Sequence, residues 1–337
     1  MKVYEIQEKF GLDSLAIVER PEPSAGPGQA LVKLRAASLN YRDLMTVKGL
    51  YNPKQPLPLV PLSDGAGEVV SVGKGVTRVK PGDRVAPIFS QKWIAGEPAR
   101  TKLSASLGGP LDGVLREFAV FDEDGLVHIP AHLSYEEAAT LPCAAVTAWN
   151  SLITLGKLKS GDTVLVQGTG GVSIFALQFA VMAGARVIVT SSSDGKIERA
   201  IKLGASDGIN YKAIPNWDKR ARELTAGLGL DYIVEVGGAG TLEKSLRAAR
   251  VGGYVGLIGV LAGSSKELSI LPVLMQNLRI QGVLVGSREM FEEMNRAIAF
   301  AQLKPVVDRV FPFEEARQAL EWMEAGSHFG KIVIRIP

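Results

Sequence analysis

The sequence predicts an α/β protein in which a β-rich region is joined to a doubly wound parallel sheet. Three observations carry that expectation. Thr163 to Thr190, TVLVQGTGGVSIFALQFAVMAGARVIVT, reads as strand, glycine-rich turn, helix and strand. Before it, residues 1 to about 120 hold short β-type runs separated by turns; after Ser134, helices and strands alternate.

In chain order, ALVKLRAASL, GAGEVVSVG, DRVAPIF and LREFAVF are the β-type runs, punctuated by GPG, GKG and KPGD, the pattern of an irregular, mostly antiparallel barrel or sandwich. Ser134 followed three residues later by Glu137 is a capping box that opens a helix. Beyond the glycine-rich turn come GKIERAIKLGA, a short strand at GIN, KRARELTAG, DYIVEV, GTLEKSLRAAR, GYVGLIGV and LRIQGVLV. Alternation of this kind builds a parallel sheet whose ligands bind at the strand C-termini. FEEMNRAIAFAQ and FEEARQALEWMEAG are amphipathic helices, and KIVIRI is a closing strand.

Composition narrows the function classes. With 337 residues, 46% of them hydrophobic, and 37 glycines, the chain can bury large cores and fits about two domains. Its 38 basic and 35 acidic residues leave a net charge of +3 with no basic run, so nucleic-acid and membrane-surface binding are not expected. The single cysteine, Cys143, excludes an intrachain disulfide framework and fits a reducing compartment. MKVYEIQEKFG has no apolar core and is not a secretory signal, and the glycines break the uncharged run from Leu165 to Ala185. The expectation is a soluble cytoplasmic protein.

Gly168 and Gly170 occupy the first two positions of a G-x-G-x-x-G fingerprint, where a missing side chain lets backbone turn sharply and approach a pyrophosphate at a helix N-terminus. Ser173 stands at the third position, which normally takes Gly or Ala. The turn Gly168, Thr169, Gly170, Gly171 and Val172 is therefore the expected cofactor cradle; the alternative is an ordinary crossover turn. About twenty residues on, where an NAD-binding unit places an acid, the sequence reads TSSSDGK. Hydroxyls of Ser191 and Ser192 with Lys196 can hydrogen-bond and neutralise a 2'-phosphate, which favours NADP over NAD. Asp194 works against this, but lies three residues beyond Ser191. The other reading is a solvated turn from Ser191 to Ser193 beside a surface lysine.

AGEVVSVGKGVTRVKPGDRV, QGTGGVS, LGAS, INY and the terminal FGKIVI resemble the medium-chain dehydrogenase/reductase superfamily, in particular its zinc-free quinone oxidoreductase-like branch, over essentially the whole chain. The resemblance implies a GroES-like catalytic domain at 1–144, completed by 287–337, with a Rossmann domain inserted at 145–286. It further implies that Tyr211 helps bind the 2'-phosphate and that Thr147 lies against the nicotinamide. Gly259 and Val260 would meet the nicotinamide side, Val283, Leu284 and Val285 would hold the carboxamide through main-chain groups, and Lys331 would reach phosphate or ribose. It also implies a homodimer joined at a sheet edge near GYVGLIGV and GVLV.

Against the zinc alcohol dehydrogenase pattern the departures are specific. The C-x-x-D turn is here Asn40-Tyr41-Arg42-Asp43, the GHE motif is Leu62-Ser63-Asp64, and the remaining ligand position matches Cys143. One thiolate with Asp64 falls short of the three protein ligands of a catalytic zinc site. The span from Phe89 to Asp112 lacks the structural zinc cysteines, and His128, His132 and His328 lie away from these motifs, so no metal is expected. Without a Lewis acid, hydrogen-bond donors must stabilise the developing oxyanion. Tyr41 and Tyr51 are the candidate donors, with Asn40, Ser63 and Asp64 lining the same site; the alternative for each tyrosine is packing. Arg42 reads as a solvated or ion-paired surface charge. The stretch QKWIAGEPARTKLSASLGGPLDG reads as a mobile cover, with Trp93 closing on a ring or pinning the loop.

These readings converge on a zinc-independent, NADPH-dependent reductase of a small quinone or α,β-unsaturated carbonyl. The alternatives are an NAD(P)-dependent alcohol dehydrogenase or aldehyde reductase, and a nucleotide-binding structural or regulatory protein without turnover.

Overall fold

The computed structural model describes residues 1–261, 263 and 268–337. It divides into two compact units, Met1–Val146 with Val285–Pro337, and Thr147–Leu284. The strands in chain order are β1 (Lys2–Ile6), β2 (Leu15–Glu19), β3 (Gln29–Ser38), β4 (Asp64–Val72), β5 (Arg84–Pro87), β6 (Phe118–Asp122), β7 (Leu126–His128), β8 (Thr163–Gln167), β9 (Arg186–Ser191), β10 (Asp207–Asn210), β11 (Leu230–Glu235), β12 (Ala249–Leu257), β13 (Arg279–Gly282), β14 (Val307–Pro312) and β15 (Lys331–Arg335).

The discontinuous unit is built on a sheet of order β14-β15-β3-β4-β5-β7, with β6 also paired to β3. Its pairings are antiparallel except β14 with β15, which run parallel. β3 is buried along most of its length because β4, β6 and β15 all hydrogen-bond to it. Leu34, Leu115, Leu126, Phe313, Ile332 and Ile334 form part of the core, and Tyr4 packs edge-on against Phe313 with ring centroids 5.0 Å apart. Each such fully buried apolar side chain contributes roughly 1.5–3 kcal/mol. β1 and β2 form a separate antiparallel pair that the charge-dotted segment MKVYEI conceals; Val3, Tyr4, Glu5 and Ile6 are nevertheless buried.

Register sets the working end of this sheet. Ser38 of β3 pairs with Asp64 of β4 and with Val333 of β15, so Leu39, Asn40, Asp64 and Lys331 cluster at one edge. Leu62 enters β4 in the left-handed region, at φ 68°. It is held there by chain pairing: Gly113 N donates to Val60 O at 2.7 Å and Val114 N to Leu62 O at 2.9 Å.

The continuous unit is a six-stranded, wholly parallel sheet of order β10-β9-β8-β11-β12-β13. Strand order reverses between β8 and β11, the switch point at which such sheets bind ligands. The helix Gly171–Met182 following β8 is apolar nearly all round and buries Ile174, Phe175, Leu177 and Phe179. Phe179 meets Trp149 edge-on with centroids 5.5 Å apart, fixing the helix against its neighbour.

Gly113 ties the fold to the site. A Cβ there would lie 2.0 Å from Leu62 O and 2.4 Å from Pro61 O, both rigid backbone atoms. Gly113→Ala should lower stability by about 1–3 kcal/mol, read as a fall in the urea midpoint; an unchanged midpoint would contradict this packing.

Candidate functional site

In the parallel unit, Gly168 adopts φ 72° and Gly170 precedes the helix with extended backbone. A Cβ at either would meet nothing within 4 Å, so the turn presents bare backbone to open space. The helix N-terminus carries no side-chain cap, leaving its first N–H groups suited to a pyrophosphate. The exception at the third fingerprint position has a structural explanation. Ser173 is buried and its hydroxyl donates to Gln167 O at 2.6 Å, closing the turn from beneath.

Ser191 ends β9, and Tyr211 N donates to its carbonyl at 3.0 Å, which sets Tyr211 beside the serine run. Ser193 caps the next helix, accepting from Lys196 N at 3.4 Å. Asp194 begins that helix instead of standing at the strand tip, and its carboxylate accepts from Asn210 Nδ2 at 2.8 Å. Ser191, Ser192, Lys196 and Tyr211 are thus gathered at one corner.

A buried carboxylate that the sequence reading missed organises the neighbouring turns. Glu235, fully buried at the end of β11, accepts from Gly237 N and Gly238 N at 2.9 Å, from Thr241 Oγ1 at 2.5 Å, from Gln167 Nε2 at 2.7 Å, and from Ser245 Oγ. Gln167 Oε1 in turn accepts from Val236 N and Gly237 N at 3.2 and 3.3 Å. Glu235 O also receives Gly259 N at 3.3 Å, so the fingerprint turn and the Gly259-Val260 turn share one scaffold. The signal was present as an acid closing the apolar run DYIVEV before two glycines. Thr147 and Val283 are buried, while Val260 and Leu284 are exposed. Val285 takes φ 39°, a strained value for a β-branched residue.

In the discontinuous unit, Asn40, Ser63, Asp64, Cys143 and Lys331 converge. Ser63 Oγ donates to Asp64 Oδ1 at 2.6 Å, and Asp64 Oδ2 accepts from Cys143 N at 3.0 Å. Asn40 Nδ2 approaches Ser63 Oγ at 3.5 Å. Lys331 is 3% exposed and its ammonium donates to Leu39 O at 2.5 Å and Asn40 Oδ1 at 2.6 Å. The amine is thus held by protein acceptors at the end of β3. Leu39 N donates to Ile332 O, which lays the start of β15 against the end of β3 and turns the amine inward. Burial lowers the Lys331 pKa, with the Asp64 charge opposing; burial likewise raises that of Asp64, with Lys331 and the Ser63 hydroxyl opposing. Burial, then Asp64, pushes the Cys143 thiol up, which disfavours the thiolate needed of a ligand or nucleophile.

The structure also bears on the loop from Gln91 to Gly113 and its neighbours. Of the two readings of Arg42, the ion pair is present, to Asp43 at 3.6 Å, but the charge is not at the surface: its side chain is 11% exposed and lies 4.9 Å from the ring centroids of both Tyr51 and Phe89. It donates to Leu107 O at 2.8 Å and Gly109 O at 3.1 Å, so it clamps the loop expected to be a mobile cover. Trp93 is buried with Nε1 donating to Gly96 O at 2.8 Å, the loop-pinning one of its two readings. Tyr41 and Tyr51 stand at the surface, 46% and 53% exposed.

Comparison with known proteins decides the family. Residues 26–131 match the alcohol dehydrogenase GroES-like domain and residues 171–300 match the zinc-binding dehydrogenase domain. A zinc-type alcohol dehydrogenase-like protein of Schizosaccharomyces pombe is 46% identical, over 98% of this chain and 97% of its own. The chain belongs to the medium-chain dehydrogenase/reductase superfamily. The solved structure of an NAD-dependent alcohol dehydrogenase superposes with a TM-score of 0.92 at 34% identity, covering all of both chains. That of a 2-octenoyl-CoA carboxylase reductase in complex with NADP and 2-octenoyl-CoA gives 0.87 at 26%, over 99% of this chain and 87% of the other.

For this medium-chain protein the GroES-like and Rossmann architecture stands as expected. Zinc is implied by the description of one matching domain, and the donor set bears on it directly. Among the described residues no group of three or more His, Cys, Asp or Glu side chains could hold a metal ion. Likewise, no helix among them is long and apolar enough to cross a membrane.

Asp43 gives a pH test of this cluster. It is buried, with Oδ2 accepting from Asn40 N at 2.8 Å and Oδ1 lying 3.6 Å from Arg42 Nη1, beyond hydrogen-bond reach. Burial raises its pKa from 3.8 to about 6, with Arg42 opposing. The folded state therefore binds this proton more tightly than the unfolded chain, and the stability it contributes at low pH is lost as pH rises from 3.8 to about 6. Asp43→Asn should flatten that part of the stability profile, measured as urea midpoints across the window; an unaltered slope would contradict the assignment.

Proposed function

We propose that the protein is a zinc-independent, NADPH-dependent reductase of quinones or α,β-unsaturated carbonyl compounds. The observation that carries this is the chemistry at Asn40, Ser63, Asp64 and Lys331, a set of amide, hydroxyl, carboxylate and ammonium already bonded to one another. Such a set offers hydrogen bonds to an oxyanion and lacks the three metal donors of a catalytic zinc site. No step of the mechanism passes through a metal.

The backbone of Gly168, Thr169, Gly170, Gly171 and Val172 would bind the pyrophosphate, and the Ser191, Ser192, Lys196 and Tyr211 corner the 2'-phosphate. Thr147, Gly259, Val260, Val283, Leu284 and Val285 would line the nicotinamide end. When bound, the reduced nicotinamide supplies the hydride that adds to the acceptor's β-carbon. The C=C π pair would then join the α-carbon to the carbonyl carbon and the C=O π pair would move onto oxygen, where the donors of the Asn40 cluster would stabilise it, and water would provide the proton for the α-carbon. Tyr41 and Tyr51 would line the approach of the acceptor. The likeness to the NADP complex of an enoyl-CoA carboxylase reductase supports the conjugated acceptor and NADP.

The likeness to an NAD-dependent alcohol dehydrogenase favours a second reading, oxidation of simple alcohols. We also propose a homodimer: β13 is an edge strand, and Ile270, Leu271, Leu274 and Met275 beside it expose large apolar side chains that a second copy would cover.

Two measurements test the reading. Turnover of a quinone, an enone and a saturated aldehyde is compared with NADPH and NADH; the expected result is activity on the conjugated acceptors with NADPH, whereas turnover confined to the aldehyde or to alcohols favours the second reading. Ser191→Asp places a carboxylate against the 2'-phosphate and should shift kcat/KM toward NADH by about tenfold or more, roughly 1.4 kcal/mol. Unchanged preference would contradict the cofactor assignment.

A further inference from the structure

We propose that Lys331 is a positioning residue that fixes the orientation of the Asn40 amide, and that Asn40 Nδ2 is the donor to the acceptor's developing oxyanion. The inference rests on the conjugated-carbonyl reading above and names the group that performs its central task. A lysine ammonium has three donors and no acceptor. The Asn40 atom it meets at 2.6 Å is therefore the amide oxygen, which settles an O/N choice that packing alone leaves open. A second bond to Leu39 O at 2.5 Å and 3% exposure hold the ammonium in place. The amide NH2 must then face the opposite way.

On that side it meets Ser63 Oγ at 3.5 Å, a long contact to a hydroxyl that gives its own proton to Asp64 at 2.6 Å, and it also hydrogen-bonds the Asp64 carboxylate, which leaves the second amide N–H for an incoming oxygen. Burial and chemistry together distinguish Asn40 from the other members. Ser63 and Asp64 have no exposed surface and Lys331 almost none, whereas Asn40 and Cys143 are partly exposed. Of those two, Asn40 carries the strong N–H donor, and its amide is neutral because the charge lies behind it.

In the reduction, the hydride adds to the β-carbon, the C=C π pair becomes the bond between the α-carbon and the carbonyl carbon, the C=O π pair moves onto oxygen, and Nδ2 hydrogen-bonds that oxygen without losing its proton. Water then protonates the α-carbon. One reduced nicotinamide is oxidised and one proton is consumed per acceptor reduced.

Asn40→Asp discriminates this role from a structural one. Asp matches Asn as an N-cap and presents an oxygen to Lys331, but has no NH2 to offer. With the full-length protein and an enone, Asn40→Asp should lower kcat by about 10²–10³-fold. The NADPH Kd from fluorescence titration should stay within about twofold. Lys331→Met, which releases the amide to rotate, should lower kcat by about tenfold or more, again without weakening NADPH binding. Retained kcat in Asn40→Asp overturns the proposal. So does a Lys331→Met protein that binds NADPH about tenfold more weakly with unchanged saturated kcat, which would give Lys331 to the cofactor phosphate. A wild-type protein that reduces no conjugated acceptor defeats the underlying functional reading and this inference with it; an active wild type with an unimpaired Asn40→Asp defeats the inference alone.

Discussion

An ammonium withdrawn from water costs several kcal/mol unless its protons are all but satisfied and opposite charge is near. Lys331 meets that requirement with Leu39 O, Asn40 Oδ1 and the field of Asp64, groups that lie far from it in the chain. The β3–β15 register delivers Lys331, the end of β3 delivers Leu39 and Asn40, and the left-handed Leu62 delivers Ser63 and Asp64 into β4. Because the charge is buried, the surrounding groups have little freedom to rearrange. That rigidity turns an ordinary amide and hydroxyl into a site of fixed polarity, the property that makes hydrogen bonds effective against developing charge.

The parallel unit reaches a comparable result with a buried anion. Glu235 accepts five hydrogen bonds and, through Gln167 and Ser245, couples β8 to the turns after β11 and β12. A fully hydrogen-bonded carboxylate of this kind specifies geometry because any shift of a turn strands a buried charge. The glycines at 168 and 170 leave the backbone bare, and Glu235 and Gln167 keep its spacing to Gly259 constant.

Local rules made most of the architecture legible. The glycine turn between two apolar strands, the alternation beyond Ser134 and the Ser134–Glu137 capping box are short-range signals, and the capping box forms as written. The first hairpin was missed because Lys2 and Glu5 interrupt the apolar pattern, although Glu5 is buried against Arg20. The site was legible as a set of residues but not as an arrangement. Arg42 reads as a surface cation until the rings of Tyr51 and Phe89 enclose it, and Lys331 reads as a strand-end cation until β3 covers it. Both outcomes depend on contacts between residues far apart in sequence, which no local pattern encodes. The same applies to Glu235, whose donors come from three segments.

In the proposed reaction, hydrogen-bond donors and not a metal carry the charge that forms. Metal analysis of the purified, active protein, with turnover of an enone measured before and after dialysis against a chelator, tests it most directly. The expected result is zinc far below one ion per chain and the same turnover after dialysis. About one zinc per chain, with activity lost on its removal and restored on its return, would contradict the claim and would mean that Asn40, Ser63, Asp64 and Cys143 rearrange around a metal.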